Sequence, residues 1–538
     1  MGSRAIKKLL KNDLESPEWT VSDESDSEVE RKPKINPFSL LNQDESSGSE
    51  AEEEYEGDPV ADPINSTSVA SPVSSSSKKT KKKKKKTKKN RLTQPEEDDS
   101  ALDSLIAELK AQDIQDTEDL SYIEAFKVDT RHLDYEREYK QLFGKAALAQ
   151  SSTTADSMSL PHGVQRPRDW GGRDGKTLPG TSRKLILTRV RESFPPVSRR
   201  DILMEQLSGE GARSIKEFKF IHSAAYMEAE KAFQVLSTIG DLDALVAHTL
   251  KETPYHVSTL LLLADFKTSN GQHSEAGQLI EQCLLAYDRS FRIGFDVTSG
   301  TCRLPFRYFE NRAFYLTIFK HLKSLMRRGT WATAFEFDKL LWSLEPEDDP
   351  MGAGFMIDFF AINAGQCQYI LDLAENDYFI KKHHSLRPNI VYSRALAYHQ
   401  KYPEDVVQTT QYILEAVRKF PWVAAAILDG ELLHSPVFGV EAGPEQAIYS
   451  GLYATQMKTF WQGAIRQILS DVCQRLDLDL DPVKQAEGVS INVARFALLS
   501  EQSQVYSLIP AEYLSKTMFA NDILPPLDDI SPYVSRTT

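Results

Sequence analysis

The sequence predicts an all-α fold: an irregular tetratricopeptide-like α-solenoid preceded by a long disordered, charged N-terminal arm. Three observations support this. From about residue 215 onward, apolar residues recur at helical spacing and few prolines interrupt them. The same region contains no sustained alternation of polar and apolar residues of the strand type. Residues 1–120 are polar with segregated charges, so they bury too little apolar surface to fold.

The arm consists of three charge blocks. Residues 1–77 contain 7 Lys/Arg and 17 Asp/Glu, residues 78–91 contain 11 basic residues and no acidic one, and residues 92–120 contain 10 acidic residues and one lysine. The blocks together carry −8 of the chain's −14, so the residues after 120 carry only −6. The predicted folded part therefore has no basic bias suited to nucleic acid.

The lysine run at residues 78–91 is the strongest local charge signal. It predicts a mobile cation that neutralises phosphates without distinguishing base sequence, because no aromatic residues are interleaved to stack on bases. The same pattern is typical of a nuclear targeting signal, and the two interpretations are compatible. The basic residues concerned are Lys78, Lys79, Lys81, Lys82, Lys83, Lys84, Lys85, Lys86, Lys88, Lys89 and Arg91.

Short amphipathic segments flank this run. SRAIKKLLK at residues 3–11 suits a basic helix that forms on contact, and DDSALDSLIAELKAQD at residues 98–113 suits a small docking helix too short to be stable alone. Four serines have an acidic residue three positions on, a pattern typical of acid-directed phosphorylation. They are Ser25, Ser27, Ser47 and Ser49.

The rest of the chain divides into four predicted segments. Residues 121–214 hold the motif RHLDYEREYKQLFG and an irregular linker, 215–435 a helical-repeat domain, 436–520 C-terminal helices and 521–538 an extended, proline-rich tail. Within the repeat domain, residues 255–291 predict a helix, a polar turn at 269–272 and a second helix, with tetratricopeptide-like spacing. Residues 311–346 predict a second helix pair, with Arg328 and Gly329 at its turn. Stacked pairs of this kind imply a solenoid whose curved surface holds partners.

No motif predicts catalysis, a cofactor or a metal site. GGRDGKT at 171–177 resembles a phosphate-binding loop, but the glycine spacing is short and no strand precedes it. EPEDDP at 345–350 is interpreted as an exposed acidic turn, and the pair His383 and His384 as solvated. Four separated cysteines and no apolar run approaching ~18 residues predict a soluble intracellular protein without a membrane segment.

Several motifs occur together in order. They are SRAIKKLL, the lysine run, SALDSLIAEL, RHLDYEREYKQLFG, FKFIHSAAYMEAEKAF, TPYHVSTLLLLADF and TSGTCRLPFRYFENRAFYLTIFKHLKSLMRRG with SLEPEDDP after it. Over nearly its whole length the sequence resembles the transcription factor 25 family, which includes subunit 1 of the ribosome quality control complex. The block at 253–350 is the most specific part.

The resemblance implies a non-catalytic adaptor on stalled large ribosomal subunits. It would act with the listerin ubiquitin ligase, promote degradative ubiquitin chains on the nascent polypeptide and favour recruitment of the valosin-containing segregase ATPase. Ribosomal RNA is a further expected partner through the lysine run, and a ribosome-associated cytoplasmic location is expected beside a nuclear one. The alternative that the family implies is a nuclear transcriptional regulator.

The resemblance also implies which residues contact partners, without any catalytic residue. Tyr315 has a second interpretation as a core residue, because aromatic side chains at helical spacing usually pack. Relatives are further expected to continue beyond SPYVSRTT through a hydrophobic segment and an acidic tail. The implied contact residues are Arg131, His132, Leu133, Phe143, Gly144, Asn311, Arg312 and Tyr315.

Overall fold

The computed structural model describes the chain from residue 121 onward, with gaps. The described residues are 121–153, 176, 184–191, 193–197, 200–207, 215–376, 378–379, 387–429, 435–475, 479–515 and 521–533, the side chains of 145–153, 436 and 438 excepted. The predicted charged arm, its lysine run and the pair His383 and His384 lie outside them. The predicted boundaries between segments stay predictions, apart from the helical start at about residue 215.

The described residues are mostly helical, which confirms the predicted fold class. Successive helices pack on one another along the chain, as expected for a solenoid-like arrangement. The helices are α1 (Tyr135–Thr153), α2 (Ala224–Ile239), α3 (Leu242–Glu252), α4 (Val257–Ser269), α5 (His273–Ser290), α6 (Phe309–Arg328), α7 (Trp331–Ser343), α8 (Ile357–Asn363), α9 (Cys367–Glu375), α10 (Pro388–Lys401), α11 (Val406–Lys419), α12 (Pro421–Leu428), α13 (Pro444–Met457), α14 (Ala464–Cys473), α15 (Ile491–Ser500), α16 (Ser503–Tyr506) and α17 (Ala511–Ser515). Three 3₁₀ helices cover Ser121–Phe126, Ala353–Phe355 and Pro436–Gly439.

Local sequence signals account for the two central helix pairs. Helices α4 and α5 are separated by a tight turn in which Gly271 has a φ of 76°, a conformation that favours glycine. Ala264 and Ala276 are both buried on this pair, and their small size allows close approach. Helix α6 ends at Gly329, whose φ of 70° permits the left-handed cap before α7. Both predicted helix–turn–helix units are therefore confirmed.

Three apolar clusters lie between the described helices, the smallest of them around Phe233 of α2 and Leu245 of α3. The larger core extends from the 3₁₀ helix Ser121–Phe126 through α4 to α9 and is joined by parts of α13 and α15. The second lies among α10, α11, α12 and α14, where Tyr392, Ile413, Trp461 and Leu469 are buried. Each helix thus contributes an apolar face to a shared interior, which a single pair could not bury alone.

A small sheet packs against α5 and α6, and one of its strands lies where the sequence predicted helix. Strand β1 (Ile202–Gln206) pairs antiparallel with β2 (Lys216–His222), and β2 pairs parallel with β3 (Cys302–Arg303). In β2, alternate residues Phe218, Phe220 and His222 are buried. This alternation is a strand signal that we missed because it extends over only seven residues. The predicted helical start at about residue 215 was wrong, since α2 begins at residue 224.

The turn at 345–350 differs from the exposed acidic turn that the sequence suggested. Glu347 and Asp348 are exposed, whereas Asp349 is buried and accepts hydrogen bonds from the backbone of Ala353 (2.8 Å) and Gly354 (2.9 Å). Glu345 accepts from the backbone of Phe306 at 2.8 Å. The carboxylates of Glu345 and Asp349 therefore attach the turn to neighbouring backbone.

The described residues contain neither a candidate membrane-spanning helix nor a candidate metal-ligand cluster. None of their helices combines the length and the apolar character that crossing a bilayer requires. No group of three or more His, Cys, Asp or Glu side chains in the described ranges is arranged to hold a metal ion.

Candidate partner-binding surface

The signature segment, residues 131–144, is fastened to the repeat domain at its start. The backbone N–H of Asp129 donates to Glu336 at 2.8 Å, and the carbonyl of Lys127 accepts from Lys339 at 2.8 Å. Leu133 is 3% exposed and packs in the larger core. The chain just before the segment is therefore attached to α7.

Glu138 then caps a helix distant in sequence. Its carboxylate accepts from the backbone N–H groups of Ala332 (2.9 Å) and Thr333 (2.8 Å) and from the Thr333 hydroxyl (2.7 Å). Thr330, at the N-cap of α7, makes no side-chain capping bond, so Glu138 supplies the missing acceptor. A carboxylate at a helix N-terminus is stabilised by the unpaired N–H groups and the helix dipole.

A cluster of buried charges holds the start of α1. Arg191 ion-pairs with Glu281 and donates to the Tyr135 hydroxyl, and Arg328 lies 4.3 Å from the Tyr135 ring centroid and 3.4 Å from Glu281. Burial opposes ionisation of Glu281, but the two arginines outweigh it and hold the pKa of this carboxyl at about 2. Glu281 is thus ionised at neutral pH and fixes both arginines against the signature segment.

A second ion pair adds to this attachment. Asp134 pairs with Arg189, and the ammonium group of Lys176 lies 3.9 Å from the same carboxylate. Lys176 is the lysine of the GGRDGKT motif, so the structure places it beside an acidic side chain. The neighbouring glycines of that motif lie outside the described residues.

The outer side of α1 stays exposed. Leu142 and Phe143 are 55% and 53% exposed, and Lys140 and Arg137, two and five residues before Leu142, are exposed as well. Gly144 follows with a φ of 78° and a ψ of 172°, so the regular helix is interrupted there, as the motif suggested. We call Arg137, Lys140, Leu142 and Phe143 the signature edge. It comprises two exposed apolar side chains and two exposed cations within seven residues of α1.

Five of the residues that sequence reasoning assigned to partner contact lie in this segment. Arg131 and His132 are exposed, although Arg131 ion-pairs with Asp129 at 2.6 Å. Phe143 and Gly144 are exposed as well, whereas Leu133 is buried. Partner contact at these positions stays a prediction.

The remaining three residues of that set lie in the interior of the fold. Asn311 accepts from the backbone of Phe220 at 2.9 Å, and the Tyr315 hydroxyl donates to the carbonyl of Leu304 at 2.7 Å. Arg312 is 2% exposed and ion-pairs with Asp522 at 2.6 Å. These bonds give the three side chains a structural role, and a direct contact with a partner stays untested.

Sequence reasoning did not single out Glu138, Arg191, Glu281 or Arg328. Each contacts a residue that is distant in the sequence. Glu138 and Ala332, for example, are 194 positions apart. No local spacing signals such pairs. Leu142 could have been recognised, because it stands beside Phe143 in a segment otherwise rich in charge.

Comparison with known proteins decides the family. The profile of the family described as "Transcriptional repressor TCF25" matches residues 218–526, which is more than half of the chain. The chain belongs to the Tcf25 family. The resemblance inferred from the motifs is therefore confirmed.

Three relatives illustrate the breadth of the Tcf25 family. "Ribosome quality control complex subunit TCF25" of Mus musculus is 29% identical over 442 residues, covering 76% of this chain and 62% of the relative. "Ribosome quality control complex subunit 1" of Schizosaccharomyces pombe is 28% identical over 351 residues, covering 64% and 52%. "Probable transcription factor claV" of Ampulloclitocybe clavipes is 28% identical over 462 residues, covering 74% and 56%.

The matches span only part of the relatives. The chain covers between about half and three fifths of the length of these three proteins (52%, 56% and 62%). No solved structure matches the chain.

Proposed function

We propose that this chain is a non-catalytic adaptor subunit of a ribosome quality control complex. In this role it binds stalled large ribosomal subunits, works with a listerin-type ubiquitin ligase and promotes ubiquitination and extraction of the nascent chain by a valosin-containing segregase ATPase. The names of the relatives from Mus musculus and Schizosaccharomyces pombe support membership in this complex. The partners named here follow from the family and are part of the proposal.

The signature edge is the observation that carries this proposal. Leu142 and Phe143 are each about half exposed, so burying the rest on binding would contribute about 1 kcal/mol per side chain, roughly half the value for a fully exposed one. Arg137 and Lys140 beside them favour a partner with acidic groups around an apolar pocket. Because Glu138 and the buried ion pairs hold α1 in place, little ordering of this helix is required when the partner binds.

An adaptor of this kind needs no active site. Its contribution is to hold ligase, ubiquitin and nascent chain near one another, which raises their effective concentration. A helical solenoid suits this task because its extended surface offers separate positions for different partners.

Sedimentation of cell extracts tests the proposal. The full-length chain should co-migrate with large ribosomal subunits that carry stalled peptides and the listerin-type ligase. Leu142→Asp combined with Phe143→Asp should reduce the co-migrating fraction by at least about tenfold, the ratio that corresponds to 1.4 kcal/mol. Val407→Asp is the matched control, since Val407 is 72% exposed on α11 and outside the signature edge.

Two results would contradict the proposal. One is absence of the wild-type chain from fractions in which the ligase does co-migrate with the subunits. The other is an equal co-migrating fraction for the double variant and the Val407→Asp control, which would show that the signature edge does not bind the ribosomal complex.

A second candidate function is nuclear transcriptional regulation. The family description and the name of the Ampulloclitocybe clavipes relative favour it, and the lysine run could contact nucleic acid or direct nuclear import. Replacing Lys81 to Lys86 by glutamine should then abolish chromatin association together with its steep salt dependence. A wild-type chain that never associates with chromatin would exclude this function.

A further inference from the structure

The two cations of the signature edge have no counterion among the described residues. Arg137 and Lys140 are exposed, and neither side chain makes an ion pair or a hydrogen bond within the part of the chain that the structure describes. The acidic side chains of the same helix are engaged elsewhere, since Glu136 pairs with Arg191 at 3.2 Å and Glu138 caps α7. The edge therefore presents two positive charges that its own helix does not neutralise.

An aromatic side chain lies on the same face of α1 as these cations. Positions 137, 140 and 143 follow one another at intervals of three residues, which places Arg137, Lys140 and Phe143 along one face of the helix. The centroid of the Phe143 ring lies 4.7 Å from that of Tyr139, and Phe143 is 53% exposed. Such a face fits a ligand that carries apolar side chains and carboxylates together.

Residues 98–113 of the charged arm have this chemistry. They contain five acidic residues and a single lysine, and their apolar residues recur at helical spacing. These apolar residues are Leu102, Leu105, Ile106 and Leu109. A segment of this length is too short to be a stable helix by itself, so it needs a surface to bind. The other amphipathic segment of the arm, residues 3–11, is basic and would be repelled by the two cations of the edge.

The arm joins the described part of the chain on the helix that also holds the edge. The ring of Phe126 lies 5.2 Å from that of Trp342 near the end of α7, and Glu138 caps the first turn of the same helix. Helix α7 has 13 residues and is about 20 Å long. Between Leu109 and Ser121 lie eleven residues, which span up to about 36 Å when extended. Residues 98–113 can therefore reach α1 of the same chain.

We propose that residues 98–113 bind the signature edge of their own chain and occupy it until an external partner displaces them. The acidic residues of the segment pair with Arg137 and Lys140, and its apolar residues cover Phe143. Because both partners belong to one chain, their effective concentration is high and a weak contact suffices. The competition with an external partner rests on the adaptor function proposed above, whereas the contact itself does not.

Fluorescence anisotropy with a labelled peptide of residues 98–113 tests the contact on the purified full chain. Leu105→Asp combined with Leu109→Asp, which we call the arm variant, removes two apolar residues of the chain's own segment. Its edge is then free, and the peptide should bind. The wild-type chain should bind the peptide at least about tenfold more weakly, because its own segment competes. A peptide with the same two substitutions is the control and should not bind.

Substitutions on the edge locate the binding. Added to the arm variant, Phe143→Asp should weaken peptide binding by at least about tenfold, because it places a negative charge against an acidic segment. Arg137→Glu combined with Lys140→Glu should weaken it by about tenfold as well. Val407→Asp on α11 and Lys231→Glu on α2 are the matched controls, since both residues are exposed outside the edge, and they should leave binding unchanged.

Three results would overturn the contact within one chain. The first is no binding of the peptide to the arm variant, or equal binding by the edge variants and their controls. The second is equal binding by the wild-type chain and the arm variant, which would show that the segment does not occupy the edge. The third is a dimer of the wild-type chain that the arm variant does not form in analytical ultracentrifugation, because the segment would then bind the edge of a second copy.

Sedimentation with ribosomal subunits separates this inference from the adaptor function. The arm variant should co-migrate with the subunits in a larger fraction than the wild-type chain. An equal fraction would show that the segment does not compete with the partner. Peptide binding at the edge without any co-migration would count against the adaptor function and leave the contact intact.

Discussion

Asp338 is fully buried on α7, and neither of its carboxylate oxygens has a hydrogen-bond partner among the described residues. Burial raises its pKa well above the usual range, and the carboxylates of Asp349 and Asp358 raise it further. The folded chain therefore holds this proton more tightly than the unfolded chain. Its contribution to stability is favourable at low pH and is lost as pH rises from the unfolded pKa through the folded one.

Asp338→Asn should remove this pH dependence. Relative to the wild type, the variant should gain stability with rising pH, by up to about 1.4 kcal/mol for each pH unit between the two pKa values. Urea unfolding at about pH 5 and about pH 8 measures the difference. Asp243→Asn, at an exposed position on α3, is the control. If the free energy of unfolding of both variants, relative to the wild type, changed equally between about pH 5 and about pH 8, Asp338 would not be protonated in the native state.

At the scale of single elements, α1 and α7 depend on each other. Helix α7 has no side-chain cap of its own, and Glu138 of α1 supplies three acceptor contacts to its first turn. This arrangement couples the attachment of the signature edge to the stability of the repeat domain. A substitution that destabilises either helix should therefore also destabilise the other.

Glu138→Ala should lower the free energy of unfolding by about 1–2 kcal/mol, the usual cost of losing a helix cap. It should also make the signature segment more susceptible to proteolysis, because α1 loses one of its attachments. Urea unfolding and limited proteolysis measure the two effects. Glu404→Ala provides the comparison, since Glu404 is exposed in the turn before α11. Equal cleavage in both variants would contradict the coupling.

The elements also differ in how well local sequence predicted them. The pairs α4–α5 and α6–α7 follow from helical spacing together with glycines at 271 and 329, and both form as expected. Strand β2 does not follow from local sequence alone, because its stability comes from β1 and from the amide of Asn311. A strand of seven residues needs such partners to form.

At the scale of the whole molecule, the C-terminal tail joins distant parts of the chain. Residues 521–533 follow an irregular path of turns and bends in which Ile530 pairs with Tyr308, and the Tyr533 hydroxyl lies 2.7 Å from Nδ1 of His222. Arg495, 1% exposed, donates to the carbonyls of Ile523 and Leu524. The tail is thus held by side chains from several helices and from the sheet.

Arg312→Met should release much of this tail. Arg312 ion-pairs with both Asp522 and Asp529, and its loss leaves the buried Asp522 carboxylate without its partner, at a cost of about 3–5 kcal/mol. We expect a lower urea midpoint and new proteolytic cleavage within residues 521–533. Arg307→Met, five positions earlier and exposed, should leave both unchanged. Identical cleavage of the two variants would show that Arg312 does not retain the tail.

By itself, the sequence determined the helical class, the two central helix pairs and the Tcf25 family, because helical spacing, turn glycines and motifs are local properties of the chain. Only the tertiary structure decided that Arg312 and Tyr315 lie in the interior and that Glu138 caps α7. The physical reason is that burial and ion pairing depend on neighbours brought together by folding, often a hundred or more residues apart, and no local pattern encodes which neighbours these are.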